Sequence, residues 1–140
     1  MRVVLDTNVL LVSIAVSSRY RPIFEALLNG RFTLVISNDI LTEYEEVIIR
    51  KTNVLIASNI LEAISNLSNV LKQEIYIKWD IIEKDRDDNK FVDAAIAGNC
   101  NYLVSNDRHF NILKQRGNEL VKLINIQEFL EIIETMDVIK

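Results

Sequence analysis

Four acidic residues define the chemistry this sequence could support: Asp6, Glu43, Asp88 and Asp107. Asp6 directly follows the short β-branched run Arg2–Leu5, and Asp107 follows Tyr102–Val104 by the two-residue step Ser105-Asn106. Glu43 falls in the first turn or so of a helix expected after a second strand, and Asp88 at the start of a helix expected before the strand that leads to Asp107. Taken singly, each acid is explained by capping. Asp satisfies free backbone N–H groups at a helix start, and Glu near that end suits the helix dipole. Capping does not explain convergence on one crevice, where like charges a few ångströms apart repel by about 1 to 4 kcal/mol per pair. A bound cation removes that penalty. Oxygen donors without His or Cys select a hard ion, Mg²⁺ or Mn²⁺, which completes its shell with water and phosphate oxygens. Phosphodiester hydrolysis is the natural reaction: the metal activates water and neutralises charge on the phosphate and leaving oxygen, and two metals about 4 Å apart could divide those tasks. A nucleophile triad does not compete, since the single histidine, His109, has no evident nucleophile partner.

The acids can meet only if the intervening chain places them on one side of a sheet. Four brief apolar runs read as buried strands: Arg2–Leu5, Thr33–Ile36, Tyr102–Val104 and residues 121–124. Between them lie segments with helical spacing. Pro22 suits the first turn of a helix through Phe24, Leu27 and Leu28, with Gly30 at its end. Asn38 or Asp39 can cap a helix carrying Ile40, Leu41, Tyr44, Val47 and Ile48, and Asn53 can cap another with Leu55, Ile56, Ile60, Leu61, Ile64 and Leu67. Asp87 or Asp88 caps Asn89–Ala97, and residues 126–136 form a closing helix. Residues 73–83 are ambiguous, with 74–77 readable as a short strand. Strands alternating with helices predict a mostly parallel sheet of four or five strands covered on both faces, a three-layer α/β/α sandwich. In such sheets the ligand crevice lies beyond the carboxyl ends of the strands, where Asp6 and Asp107 are expected.

Composition supports a single domain over residues 1–140. The hydrophobic content of 49% is enough for a core, and no repeat or Pro/Gly-rich linker divides the chain, which holds 3 Gly and 1 Pro. The lone Cys100 excludes an intramolecular disulfide and a thiolate zinc site. No run of about 18 apolar residues is present, and an acid at position 6 comes too early for an apolar leader, so a cytoplasmic protein with no membrane association is expected. A net charge of -4 argues against nucleic acid in bulk, but a divalent ion held by clustered carboxylates reverses the sign that a phosphate meets. Arg86, Lys90, Arg108 and His109 flank the acids and could contact an RNA backbone, or serve as ordinary solvated charges. Tyr20 and Trp79 could stack on bases, although packing is the simpler reading. The apolar series over 54–67 could supply a dimer surface, against plain core packing.

The segments Val3-Val4-Leu5-Asp6-Thr7-Asn8-Val9-Leu10, Ser37-Asn38-Asp39-Ile40-Leu41-Thr42-Glu43, Asp85-Arg86-Asp87-Asp88-Asn89-Lys90-Phe91 and Tyr102-Leu103-Val104-Ser105-Asn106-Asp107 occur in this order. In that order they resemble the PIN-domain nucleases over residues 3–129, with closest likeness to the prokaryotic branch of toxin–antitoxin toxins, the VapC-like ribonucleases. The resemblance implies a Mg²⁺- or Mn²⁺-dependent endoribonuclease, often a homodimer and often held inactive by a small antitoxin protein. It carries the family's four acids onto Asp6, Glu43, Asp88 and Asp107: three metal ligands, with Glu43 binding metal or orienting water. Thr7, Asn8 and Asn106 become supporting residues. The third acid lies within a crowded stretch; Asp88 ranks first and Asp93 second, with Asp85 and Asp87 open to a register exchange. The alternative is a non-catalytic module of the same fold, whose acids bind a structural cation or a basic segment of a partner protein.

Overall fold

The computed structural model describes residues 1–115 and 120–139. In chain order it places β1 Arg2–Leu5, α1 Thr7–Ile14, α2 Arg21–Leu28, β2 Thr33–Ile36, α3 Asn38–Lys51, α4 Val54–Ser65 and β3 Val70–Lys72. After a long connection come a 3₁₀ turn Arg86–Asp88, α5 Asn89–Ala97 and β4 Tyr102–Val104. A second 3₁₀ turn Arg108–Asn111, α6 Ile112–Gln115, β5 Lys122–Ile124 and α7 Ile126–Ile139 complete the described elements.

All five strands are parallel, in the order β3-β2-β1-β4-β5. Continuously apolar sequence is what such strands require, because helices cover both faces. Val3, Val4, Leu5, Leu34, Val35, Leu103 and Val104 are fully buried. α5 packs on β1, β2 and β4, while α2 packs on α1 and α7, and α3 on α4. The expected three-layer α/β/α sandwich is therefore observed. The strand order reverses beside β1: the chain first builds outward through β2 and β3, then returns to place β4 on the other flank. β1 pairs with β4 in the register Leu5↔Val104, so Asp6 and Ser105 leave the sheet side by side. The backbone N–H of Asp6 still donates to Val104 O at 3.0 Å, and that of Ser105 to Ile124 O at 3.0 Å.

Local chemistry sets the element ends. Ser37, rather than Asn38 or Asp39, caps α3, its hydroxyl accepting from Ile40 N at 3.3 Å, and Asn53 caps α4 through Ile56 N at 2.8 Å. The α3 cap therefore starts one residue earlier than expected and puts Glu43 in the second turn. Gly30, at φ +72°, closes α2 in the left-handed region that glycine tolerates. At Gly98 the constraint is space, since a Cβ there would stand 2.9 Å from Val35 Cγ1 and 3.0 Å from Ala94 O.

Two expectations are corrected. Residues 74–77 form no strand; Val70–Lys72 pairs with β2 instead. Helix α1 has no counterpart among the expected helices, because Val9, Leu10, Leu11, Val12 and Ile14 form a nearly continuous apolar stretch with little contrast between faces. The long connection over residues 73–85 is stapled to α5 by two side chains. Asn89 Oδ1 accepts from Ile82 N at 2.8 Å while its Nδ2 donates to Ile82 O at 2.9 Å, and Asp93 Oδ1 accepts from Trp79 N at 3.0 Å.

Phe129 on α7 is fully buried and meets Phe32 edge to face at 5.2 Å between centroids. Phe129→Ala is expected to cost about 3 to 5 kcal/mol through lost contacts and a residual cavity. Urea unfolding of the two proteins measures this, and a loss below about 1 kcal/mol would show that the α7 face is not part of the cooperative core.

Candidate active site

Asp6, at the carboxyl end of β1, has 7% of its surface exposed. Its Oδ1 caps α1 by accepting from Asn8 N at 3.0 Å, and its Oδ2 accepts from the Ser105 hydroxyl at 2.5 Å. Burial pushes the Asp6 pKa up; the bonds from Ser105 and Asn8 counter this, and the charges of Asp107 and Glu43 add to the rise. Directly below, the buried Tyr44 hydroxyl donates to Leu5 O at 2.5 Å, tying α3 to the strand end that presents Asp6. Glu43, one position before Tyr44, accepts from the Thr7 hydroxyl through Oε2 and from Lys90 Nζ at 2.8 Å through Oε1.

Asp107 is fixed by two local bonds. Its N–H donates to Ser105 Oγ at 3.0 Å, and its Oδ1 accepts from His109 N at 2.9 Å, capping the turn Arg108–Asn111. Ser105 thus donates to Asp6 and accepts from Asp107, coupling the two strand ends through one hydroxyl. Asp88 differs from Asp6 and Asp107 in making no side-chain capping bond, although it stands at the start of α5. The preceding turn is capped by Asp85, whose Oδ1 accepts from Asp87 N at 3.1 Å. The carboxylate of Asp88 faces the His109 ring instead, 3.3 Å from Nδ1. Its pKa is raised to about 6, first by burial and then by the charge of Asp85, with smaller contributions from Asp107 and Asp6, while His109 lowers it.

The charges of Glu43 and Asp107 reach Asp6, and those of Asp107 and Asp6 reach Asp88, so the structure brings these acids into electrostatic range around Asp6. Asp93 lies elsewhere. Its carboxylate holds Trp79 N, and the charges that reach it are those of Asp80 and Lys78. Asn106 also serves the fold, its Oδ1 accepting from Ile126 N at 2.9 Å at the start of α7. Lys90, expected to meet an RNA backbone, is committed to Glu43 and to Asp87 Oδ1 at 3.0 Å. Burial would lower its pKa, but those two partners outweigh burial and raise it. Arg86 and Arg108 are exposed beside the acids. Trp79 is 44% exposed on the long connection, whereas Tyr20 borders a cleft near Asp107. Sequence reasoning gave Ser105 no role: serine is common at strand ends, and nothing in its type shows that it bridges two acids.

Two open clefts meet at Asp107, Arg108 and Asn111. One, of about 840 Å³, is lined also by Ile81, Ile82 and Lys84, and the other, of about 420 Å³, by Tyr20, Ser105 and Lys114. The donor set suits a divalent cation. Among the described residues, donor atoms of Asp85, Asp88 and His109 lie within 4.8 Å of one another, and nearby Asp6 and Asp88 have their proton affinity raised by burial and neighbouring charge, which an ion would relieve.

A family model described as PIN domain matches residues 2–109 of this sequence. Among solved structures, a chain from the crystal structure of VapBC2 from Rickettsia felis, bound to a DNA fragment from their promoter, has a TM-score of 0.60 at 20% identity. That match covers 89% of this chain and 98% of the other. The PIN domain of human SMG5 has a TM-score of 0.53 at 15% identity, covering 94% of this chain and 98% of that one. At such identities both matches show a shared fold. No curated protein matches the sequence.

The raised pKa of Asp88 has a consequence for stability. In metal-free protein the folded state holds a proton on Asp88 up to about pH 6, whereas the unfolded chain releases it near the ordinary value of 3.8. The stabilisation is present below 3.8 and is lost as pH rises through about 6. Relative to Asp88→Asn, wild type is therefore expected to lose stability between about pH 4 and 6 and to keep a constant difference above that range. Thermal melts of both proteins in EDTA across this range check it; parallel curves would contradict the shared-pocket electrostatics.

Proposed function

This chain belongs to the PIN domain family, and from that premise we propose that it is a Mg²⁺- or Mn²⁺-dependent endoribonuclease, the toxin of a toxin–antitoxin pair. What carries the reading is that Asp6, at the point where the strand order reverses, lies within electrostatic reach of Glu43, Asp88 and Asp107, in the usual ligand crevice of an open parallel sheet.

Asp6, Asp88 and Asp107 would hold the ion, and Glu43 would bind it or orient a water. A bound metal supplies an activated water and neutralises charge on the scissile phosphate. The remaining residues prepare the donors. Ser105 holds Asp6 and Asp107 in fixed relation, while Thr7 and Lys90 fix the two oxygens of Glu43. Asn8 contributes its backbone N–H to Asp6. The two clefts meeting at Asp107 carry Lys84, Arg108 and Lys114, positions from which a strand's phosphates can be held on either side of the acids. Tyr20 in the second cleft is placed to stack on a base. Among the described residues no helix is long and apolar enough to cross a membrane, and the proposed RNA substrate is a cytoplasmic one. The structural likeness to a chain of a VapBC2 complex supports an antitoxin as partner, and a homodimer built on the exposed apolar start of α4, where Val54 and Leu55 face solvent, is part of the same proposal. The chain is read as one nuclease domain over residues 1–140.

Asp6→Asn tests the mechanism. Asn retains an Oδ1 acceptor for Asn8 N and places an amide beside the Ser105 hydroxyl, so the cap persists while the charge is lost. Cleavage of defined RNAs in Mg²⁺ or Mn²⁺ is expected to fall by at least about 100-fold with the thermal melt retained, and wild type in excess EDTA is expected to be inactive. Full activity of the variant, or of wild type in EDTA, would refute the reading.

A further inference from the structure

The imidazole of His109 stands among the acids. Nδ1 is 3.3 Å from Asp88 Oδ2, 3.4 Å from Asp107 Oδ1 and 4.0 Å from Asp85 Oδ2. Asp85, Asp88 and His109 each offer one donor atom, and these three atoms lie within 4.8 Å of one another. We propose that His109 is a metal ligand of this centre through Nδ1, together with Asp88 and Asp85, with Asp107 adjoining Nδ1. The pocket then takes a first-row transition ion ahead of Mg²⁺. The inference rests on the proposed metal dependence and adds a ligand and an ion preference to it.

Hydrogen bonding alone accounts poorly for the arrangement. One Nδ1–H serves one acceptor well, yet three carboxylates face this nitrogen, and none reaches the 2.7–2.9 Å typical of a charge-assisted N–H···O bond. An octahedral ion with donors at about 2.1 Å separates adjacent donors by about 3.0 Å and opposite donors by about 4.2 Å. The observed separations of 3.3, 3.4 and 4.0 Å fall between those limits.

The turn that carries the ring is also held in place. His109 N donates to Asp107 Oδ1, and the next residue, Phe110, is fully buried and meets Phe91 of α5 edge to face at 6.3 Å. That packing joins the turn bearing His109 to the helix that follows Asp88. Carboxylate and water donors suit Mg²⁺ and Mn²⁺, and replacing one with imidazole favours later first-row ions, so the gain should grow from Mn²⁺ to Co²⁺ and be smallest for Mg²⁺.

The test is calorimetric titration of Mg²⁺, Mn²⁺ and Co²⁺ into metal-stripped full chain, as wild type, His109→Ala, His109→Gln and Asp6→Asn. Both His109 variants are expected to weaken Co²⁺ by at least about tenfold and Mg²⁺ by less than about threefold. Pulsed EPR of bound Mn²⁺ is expected to show nitrogen coupling in wild type and none in His109→Gln, which keeps bulk at a side chain that is 38% exposed and so guards against a folding artefact. Unchanged affinities in both His109 variants, with no nitrogen coupling in wild type, would overturn the inference. If Asp6→Asn loses all three ions in that case, the carboxylate metal centre still stands. Failure of wild type to bind any of the three ions would remove both readings.

Discussion

The constraint on which the rest depends is the proximity of two strand ends. β1 and β4 are neighbours in register, so Asp6 and Ser105 emerge together and Asp107 follows within one turn. Carboxylates brought this close repel, and burial of Asp6 deprives it of the water that would screen them. The fold answers the problem locally rather than by moving the acids apart. The Ser105 hydroxyl and the Asn8 N–H donate to Asp6, and the His109 N–H donates to Asp107. Lys90 balances Glu43 and Asp87. Asp88 receives the least compensation and has its pKa raised to about 6. The pocket is thus poised for a positive charge, and the position most in need of one is identifiable.

The scaffold that imposes this proximity is robust because it needs only short strands. Runs of three or four apolar residues suffice when every side chain is covered, and the buried Val, Leu and Ile of β1, β2 and β4 satisfy that condition. Glu43 reaches the site because α3 is anchored at both sides of it. Tyr44 is bonded to Leu5 O, and Ile40 and Ile48, one turn to either side of Tyr44, are buried. The long connection over residues 73–85 has no regular structure to position it, and the buried Asn89 and Asp93 of α5 supply the missing backbone partners. An acid that first suggests chemistry, Asp93, is therefore a structural staple.

Much of this was legible in the sequence. Strands β1, β2, β4 and β5 carry apolar runs bounded by polar residues, and a sheet with acids at its carboxyl edge follows from their alternation with helices. What failed to show has identifiable causes. The apolar residues of α1 follow one another from Val9 to Val12, so no 3.6-residue period marks the helix. Asp85, Asp87, Asp88 and Asp93 differ in how far their carboxylates are engaged by backbone N–H groups or Lys90, a matter of bonds rather than spacing. Lys90 and His109 read as cations beside acids. Their actual positions, within the acid cluster rather than at its rim, depend on how the two 3₁₀ turns pack around α5.

Capping and charge clustering began as rival explanations of the acids, yet the structure lets the same atoms do both. Asp6 Oδ1 and Asp107 Oδ1 accept the N–H bonds that start a helix and a 3₁₀ turn, which restricts the orientation of each side chain while leaving it further lone pairs. Local folding thereby pre-orients the donors before any ion arrives, and the entropy of ordering them is met by elements the fold forms in any case. Asp88 lacks such a bond and is the donor oriented by its neighbours alone. The geometry of the pocket is consequently set in two stages: secondary structure fixes Asp6 and Asp107, and the docking of α5 against the β4 end brings Asp88 to them.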